Sequence, residues 1–387
     1  MAESLKNKTV KGVAWNRFYP PQSHRITSID ALRAFALLGI LFVHARTGFG
    51  ANVIGTSGSV LLNSLIVLFR GKCALIFNIL FGISFYIILR KPDYPKRKFV
   101  WRCFLLTLMG LGTQFFYNSD ALMWYGICGM FLVLVTPLSN KMIAAIIISL
   151  HALAMYLGTY HFGDYLLGSY TDISRYGEDI SMKEFVALYP NGVLTYFKAV
   201  LNNGIFPTYA NFCLGYLIGR LGVVESWDKK ITFKTVLWAI SIFLVVSGGS
   251  VAVHVLNGAS LSAAFMAMLS SRLCNLAGAT FYTVLFVWAY NHCTLLAPMF
   301  HKLEAYGKCG LTNYSLQGVV GVSVFFFLGF SHKIGSASYL FWGTILFYII
   351  QVWCSNLWLR YFRNGPLEYL WRCSTECKWL PLNNKRT

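Results

Sequence analysis

Charge is what this sequence has least of. Asp, Glu, Lys and Arg make up 12% of the 387 residues, about half the roughly 25% of an ordinary soluble chain. Too few polar side chains remain to coat a water-soluble globule of this length, and that class is excluded. Acid is scarcer still, with 14 Asp and Glu against 33 Lys and Arg, a net charge of +19. In a soluble chain that surplus would suggest nucleic acid. Here the basic residues fall mostly between apolar runs, the pattern of membrane topology, and no nucleic-acid partner is expected.

Familiar catalytic signatures are missing as well. The chain has no Gly-rich loop followed by Lys-Ser or Lys-Thr, no Gly-x-Ser-x-Gly elbow and no paired-His helix motif, which argues against phosphate-loop, serine-hydrolase and zincin chemistry. His151, His161, His254, His292 and His301 show no pair at ligand spacing with a carboxylate nearby, so no metal is expected. There is no repeat of 20 to 50 residues and no low-complexity tract, hence no solenoid. The ten cysteines lie largely in or beside apolar runs, where Cys behaves as a small hydrophobe, and imply no disulfide framework. Cys373 and Cys377 share a helical face but lack a second ligand pair.

What is abundant is apolar sequence: 56% hydrophobic residues and a mean hydropathy of +0.56. Apolar runs predict an all-α, polytopic membrane protein with about ten spans, near 29–47, 72–90, 101–117, 121–137, 142–160, 204–221, 235–255, 273–291, 309–330 and 338–359. The run 59–69 is too short to span and reads as an interfacial or re-entrant helix. The first apolar run lacks a small-residue cleavage site, so a retained helix is expected rather than a signal peptide. Three segments follow: an N-terminal stretch 1–28, a membrane domain 29–359 with an external loop near 161–203, and a basic tail 360–387.

Orientation comes from the basic residues. With the N-terminus inside, most Lys and Arg lie on the cytoplasmic side, notably Arg90 to Arg102, Arg220 to Lys234 and the tail. Only Arg70, Lys72, Arg175, Lys183, Lys198, Arg272 and Lys333 fall outside, which places both termini in the cytoplasm. The external loop carries Asp164, Asp172, Glu178, Asp179 and Glu184, with an amphipathic helix expected at 182–188.

Ionisable groups inside a span are costly enough to be functional candidates. In the first span Arg33 and His44 are eleven residues apart, so both point from one helix face at a separation of about 16 Å. Asp30 sits one turn before Arg33. This spacing suits a long donor with an anionic head and a reactive tail, such as acyl-CoA. Its phosphates would rest against Arg33 and the cytoplasmic cluster Lys96, Arg97, Lys98 and Arg102. A neutral His44 imidazole would take a proton from an acceptor hydroxyl attacking the thioester. The competing readings are a packing histidine and an arginine snorkelling to the interface. Asp120 reads either as a helix N-cap or as an acceptor ligand. Asn313, Tyr314 and Gln317 are placed to line the tunnel or to bond neighbouring helices.

Several segments carry a resemblance. The runs Ile29–Leu41, Phe77–Phe85, Asp120–Gly129, Leu214–Arg220, Gly310–Gln317 and Gly365–Arg372 occur in order over nearly the whole chain, and together they resemble the YeiB-like family of bacterial membrane proteins. That family is grouped with transmembrane acyltransferases such as acyltransferase family three and heparan-glucosaminide acetyltransferase. The resemblance implies a multi-pass protein of the bacterial inner membrane. In acyltransferase family three an Arg and a His with ten residues between them in the first span mark the active site, and Arg33 and His44 match them. Many YeiB-like members are similar but carry Asn at the place of His44. The expected activity is acyl transfer, acetyl above all, from cytoplasmic acyl-CoA to a glycan, lipid or small-molecule acceptor, with Arg97, Lys98 and Arg102 on the donor. Membrane lipid is an expected partner and a homo-oligomer is compatible with the reading. A transporter or flippase using the same polar stripe, or a non-catalytic scaffold, are the alternatives.

Overall fold

The computed structural model describes residues 26–47, 64, 66–91, 94–114, 121–160, 204–256, 261–324 and 337–382. Asp120, the acidic segment 161–203 with its expected helix, and most of the run 59–69 lie outside them. Each of the ten apolar runs corresponds to a helix: α1 (Thr27–Thr47), α2 (Lys72–Leu89), α3 (Lys96–Gln114), α4 (Leu122–Leu132), α5 (Asn140–Tyr160) and α6 (Ile205–Arg220), then, after a short helix α7 (Val223–Lys230), α8 (Phe233–Leu256) and α9 (Leu261–His292). The last two are α11 (Gly310–Val322) and α12 (Ala337–Tyr361). Two amphipathic helices, α10 (Ala297–Lys308) and α13 (Pro366–Glu376), complete the chain. Their segments fall outside the apolar runs, in an inter-span loop and in the basic tail.

Six helices among the described residues are long and apolar enough to cross a membrane: α1, α2, α5, α8, α9 and α12. The other four are shorter or interrupted, for physical reasons visible in the residues. The first turn of α3 is Lys96, Arg97 and Lys98, with Arg102 one turn later. The 11 residues of α4 tighten into a 3-10 turn at Val133–Val135. Helix α6 has 16 residues with Pro207 in its first turn, and α11 has 13 described residues. The helical residues 66–69 join α2 through a turn at Arg70 and Gly71, whose φ of 74° favours glycine.

α1 is the hub. Of its most apolar stretch 72% is buried, against 11% for α5 and for α8, and it packs against α2, α9, α10, α11 and α12. Its inward residues are small or branched, with Ala31, Leu32, Ala34, Ala36 and Leu37 fully covered. Peripheral helices instead present Trp238, Val245 and Trp353 outward, a surface that only hydrocarbon solvates well.

Close helix approach depends on small residues, since lipid tails provide no hydrophobic drive between spans. The tightest pair is α2 and α6. A Cβ on Gly82 would come closer than 3.0 Å to the Phe212 carbonyl and the Tyr216 nitrogen, and one on Gly215 would meet the Ile79 carbonyl at similar range. Gly248 of α8 has nothing within 4 Å of its Cβ position. Gly82→Ala and Gly215→Ala should therefore each lower the thermal unfolding temperature of the purified protein. Gly248→Ala should leave it unchanged or raise it slightly, because alanine is the better helix former by about 1 kcal/mol. Equal effects at all three positions would remove the α2–α6 contact as the cause.

Candidate active site

Arg33 enters the bundle from the second turn of α1 and is held from three directions. Its Nη1 donates to Asp30 Oδ1 at 2.8 Å and, at 3.5 Å, to the carbonyl of Gly307 in α10. Nη2 donates to Ser84 Oγ of α2 at 2.9 Å. Ser84 Oγ in turn donates to the Leu80 carbonyl at 2.8 Å, so its lone pairs face the guanidinium. Asp30 is buried. A Cβ on Gly307 would overlap the Asp30 carbonyl, so glycine lets α10 reach the pair.

This guanidinium lines a cavity of about 210 Å³ built from α1, α2, α3, α4, α10, α11 and α13. Its walls are largely aromatic: Phe77, Phe81, Phe85, Phe99, Tyr125, Tyr314 and Trp371. Arg33, Arg102 and Lys308 bring positive charge. Such a volume, a little below the usual range of small-molecule pockets, takes a slender group rather than a whole nucleotide.

Arg102 lies over the Trp371 ring with its guanidinium carbon 3.9 Å from the centroid, and Trp371 Nε1 donates to the Arg102 carbonyl at 2.8 Å. α13 is thereby fixed to α3, an arrangement reinforced by the Lys98–Glu376 ion pair at 2.5 Å and by Trp101 Nε1 donating to the Ser374 carbonyl at 3.2 Å. Of the three expected donor-site cations, Arg102 lines the cavity, Lys98 joins α3 to α13, and Arg97 is exposed.

Tyr314 is the link to His44. Its ring stacks on Phe77 at 6.2 Å and meets the His44 ring edge-on at 6.2 Å, and its hydroxyl accepts from the Ala121 backbone nitrogen at 3.2 Å. His44 is not among the residues lining the cavity; the Tyr314 phenol ring touches both. Asn313 and Gln317 point elsewhere. Asn313 Nδ2 donates to the Tyr306 carbonyl and to Ser355 Oγ, while Gln317 Nε2 donates to Tyr306 Oη at 2.9 Å. Tyr306 Oη donates to Gln351, which donates back to the Asn313 carbonyl. These amides join α10, α11 and α12, so of the α11 polar face only Tyr314 reaches the cavity.

Ser84, Lys308, Glu368 and Trp371 are cavity residues to which the sequence alone attaches no role. Three of them stood within the quoted runs Phe77–Phe85 and Gly365–Arg372, where no role could be attached without knowing which helices meet. Glu368 is the most informative. Its Oε1 accepts from the backbone nitrogens of Leu311 and Thr312 at 2.7 and 3.1 Å, and Oε2 accepts from Thr312 Oγ1 at 2.5 Å. A carboxylate placed there satisfies the orphan N–H groups of α11 and complements its dipole. Burial pushes the Glu368 carboxyl above the usual carboxylate range, and the hydrogen bonds from Thr312 and Leu311 act against that rise.

The sign of that shift sets a pH dependence. An acid whose pKa is raised in the folded state favours folding while it keeps its proton. That stability is present at acidic pH and is lost as pH rises through the raised value. Stability of the native protein should therefore fall over that rise, and Glu368→Gln should flatten the step. Glu368→Ala should lose more at every pH, on the order of 1–3 kcal/mol for the donors left unsatisfied. Thermal unfolding from pH 4 to 8 measures all three. An unchanged pH profile in Glu368→Gln would assign the dependence to another group.

Two family profiles match the chain. The catalytic domain of heparan-alpha-glucosaminide N-acetyltransferase matches residues 25–236, and a protein family of unknown function, DUF418, matches residues 218–378. Uncharacterized protein YxaH of Bacillus subtilis strain 168 is 25% identical over 409 residues, covering 94% of this chain and 97% of that protein. An uncharacterized 39.9 kDa protein in the amylase 3' region of Bacillus acidopullulyticus is 24% identical with the same coverage. Uncharacterized protein YeiB of Escherichia coli K12 is 29% identical over 119 residues, 22% of this chain and 29% of its own. No solved structure matches. Arg33, His44, Ser84 and Arg102 fall in the first match, whereas Lys308, Tyr314, Glu368 and Trp371 fall in the second.

Proposed function

Because the chain belongs to the YeiB-like DUF418 family, related to the catalytic domain of heparan-glucosaminide acetyltransferase, we propose that it is a multi-pass membrane acyltransferase. The donor is acyl-CoA, most simply acetyl-CoA, reached from the cytoplasm, and the acceptor is a hydroxyl or amine of a glycan, lipid or small molecule. The observation that carries this reading is the fixed Arg33 at an aromatic cavity with His44 on the same helix, joined through Tyr314. Arg33, Arg102 and Lys308 offer cations to an anionic donor, and the aromatic walls exclude water from the thioester.

In this proposal His44 removes the acceptor's proton as the nucleophile attacks the thioester carbonyl. The new bond to the acyl carbon forms, the C–S bond breaks, and the imidazolium returns its proton to the leaving thiolate. Tyr314 would set the height of the reacting group between Arg33 and His44. A transporter using the same stripe is the outcome that a negative enzyme assay would favour.

Topology belongs to the same proposal. We read α3, α4, α6 and α11 as crossing together with the six longer helices, in the bacterial inner membrane, with both termini cytoplasmic. Arg33 and Arg102 each lie in the first two turns of their helices, which this topology puts at the inner face. Reporter fusions or cysteine labelling should then place residue 179 outside and residue 229 inside. Both on one side would break the assignment of α6.

The activity test uses purified protein in lipid with labelled acetyl-CoA and extracts of membrane glycans and lipids. Native protein should transfer label, and His44→Ala should lower turnover by about 100-fold or more with donor binding nearly intact. His44→Asn, which keeps a polar side chain but no base, should behave like Ala. Arg102→Ala should weaken donor binding several-fold and reduce its salt sensitivity, whereas the exposed Arg97→Ala should do less. If both His44 variants transfer at the native rate, His44 is a packing residue. If no acyl-CoA is consumed but a solute crosses liposomes in a His44-dependent way, the transporter reading replaces this one.

A further inference from the structure

On the far side of the α1–α2 pair lies a second cavity, of about 300 Å³, walled by α1, α2, α6, α7 and α9. Consecutive residues face the two spaces. Leu32 lines this crevice and Arg33 the first cavity, and Ile83 and Ser84 divide in the same way. The first is aromatic with several cations and a carboxylate in its lining, whereas this one is aliphatic with a single cation at its rim. The back of the crevice is the buried, aliphatic set Leu32, Ile76, Leu80, Ile83 and Ala279, and its rim holds the exposed Val223, Thr280 and Lys230.

Among the described residues, Lys230 is the only ionisable one lining it. Lys229 and Lys234 flank the same mouth in sequence and are exposed. The nearby acids are engaged elsewhere. Asp228 Oδ1 accepts from Asn291 Nδ2 at 2.9 Å, and Glu225 pairs with Arg90 at 2.5 Å. The mouth is thus positive and the interior apolar. Three of its walls, α1, α2 and α9, are long and apolar enough to span, where the surrounding solvent is hydrocarbon.

We propose that this crevice binds an anionic phospholipid, one acyl chain lying along Ile76–Ile83 and Ala279–Val284 and the phosphate held by Lys230. An aliphatic recess open to a bilayer fills with hydrocarbon, and an ammonium at its end selects the headgroup by charge. A zwitterionic lipid offers Lys230 a phosphate shadowed by its own cation and binds more weakly. Trp227, buried at the floor with its Nε1 donating to Ser28 Oγ at 3.3 Å, fixes α7 to α1 and so fixes Lys230 at the mouth. The site is independent of acyl transfer, and its test needs no turnover.

The test places the full chain in phosphatidylcholine nanodiscs doped with phosphatidylglycerol bearing a photoactivatable diazirine in one acyl chain, or with the matching phosphatidylcholine probe. Cross-linked peptides should contain Ile76–Ile83 or Ala279–Val284, with the anionic probe labelling them several-fold more. Lys230→Glu should bring that labelling down to the phosphatidylcholine level. Thr283→Trp, which fills the recess, should lower labelling by both probes, and Thr280→Trp at the rim gives the same readout if the first variant fails to fold. Equal labelling by both probes with no effect of Lys230→Glu would overturn the headgroup assignment. Label on other helices but not on these would overturn the site.

Discussion

A guanidinium inside an apolar bundle must be hydrogen-bonded or it cannot stay, and the placement of Arg33 constrains the rest of this structure. Asp30, Ser84 and the Gly307 carbonyl come from α1, α2 and α10, so satisfying one side chain fixes three helices against each other. Removing one partner of a fully buried ion pair costs roughly 3–5 kcal/mol and an exposed pair contributes roughly 0–1 kcal/mol; Arg33 and Asp30, 20% and 5% exposed, lie between these limits. Arg90 and Glu225 form an exposed pair of the second kind. The helix arrangement follows Arg33, and such peripheral pairs follow the arrangement.

Beside that hub stands a polar network with a different task. Asn313, Gln317, Tyr306, Gln351 and Ser355 exchange hydrogen bonds among α10, α11 and α12, all buried. Interhelical bonds in membranes average only about 0.6 kcal/mol each, so the network sets register more than it adds stability. Register matters because α11 has two faces. Turning it to break the amides would also carry Tyr314 off Phe77 and away from His44. Glu368 fixes the same helix at its N-terminus, so α11 is held at one end by a carboxylate and along one face by amides.

Much of the fold was legible because bilayer spans are written as apolar runs, and each of the ten runs became a helix. What the runs could not convey was length in the folded chain, since α4 and α6 are shortened by a 3-10 turn and by an arginine end that local hydropathy blurs. Helices α10 and α13 were hidden for another reason. Amphipathic segments such as Pro366–Glu376 read as tail until a partner surface exists, and here that surface is Arg102 and the start of α11. The Arg33–His44 stripe was legible from helical spacing, which needs only one element. Ser84, Gly307 and Glu368 were not, because each acquires its meaning from a contact between elements far apart in sequence.

That distance bears on where the chemistry can reside. The N-terminal match supplies Arg33, Ser84, Arg102 and His44, and the C-terminal match supplies Lys308, Tyr314, Glu368 and Trp371. Neither segment encloses the cavity alone, since the first lacks the α11 and α13 walls and the second lacks the guanidinium. His44 meets Tyr314, a cavity residue of the other segment, ring edge to ring at 6.2 Å. Any activity built on this cavity therefore depends on the angle between α1 and α11, which Gly307 and Gly310 set by letting α10 and α11 approach Asp30 and Arg33. A Cβ on Gly307 would strike the Asp30 backbone outright, and one on Gly310 would press on Arg33 Cδ at 3.1 Å, so the approach of α10 and α11 to α1 that shapes this cavity rests on Gly307 first and on Gly310 second.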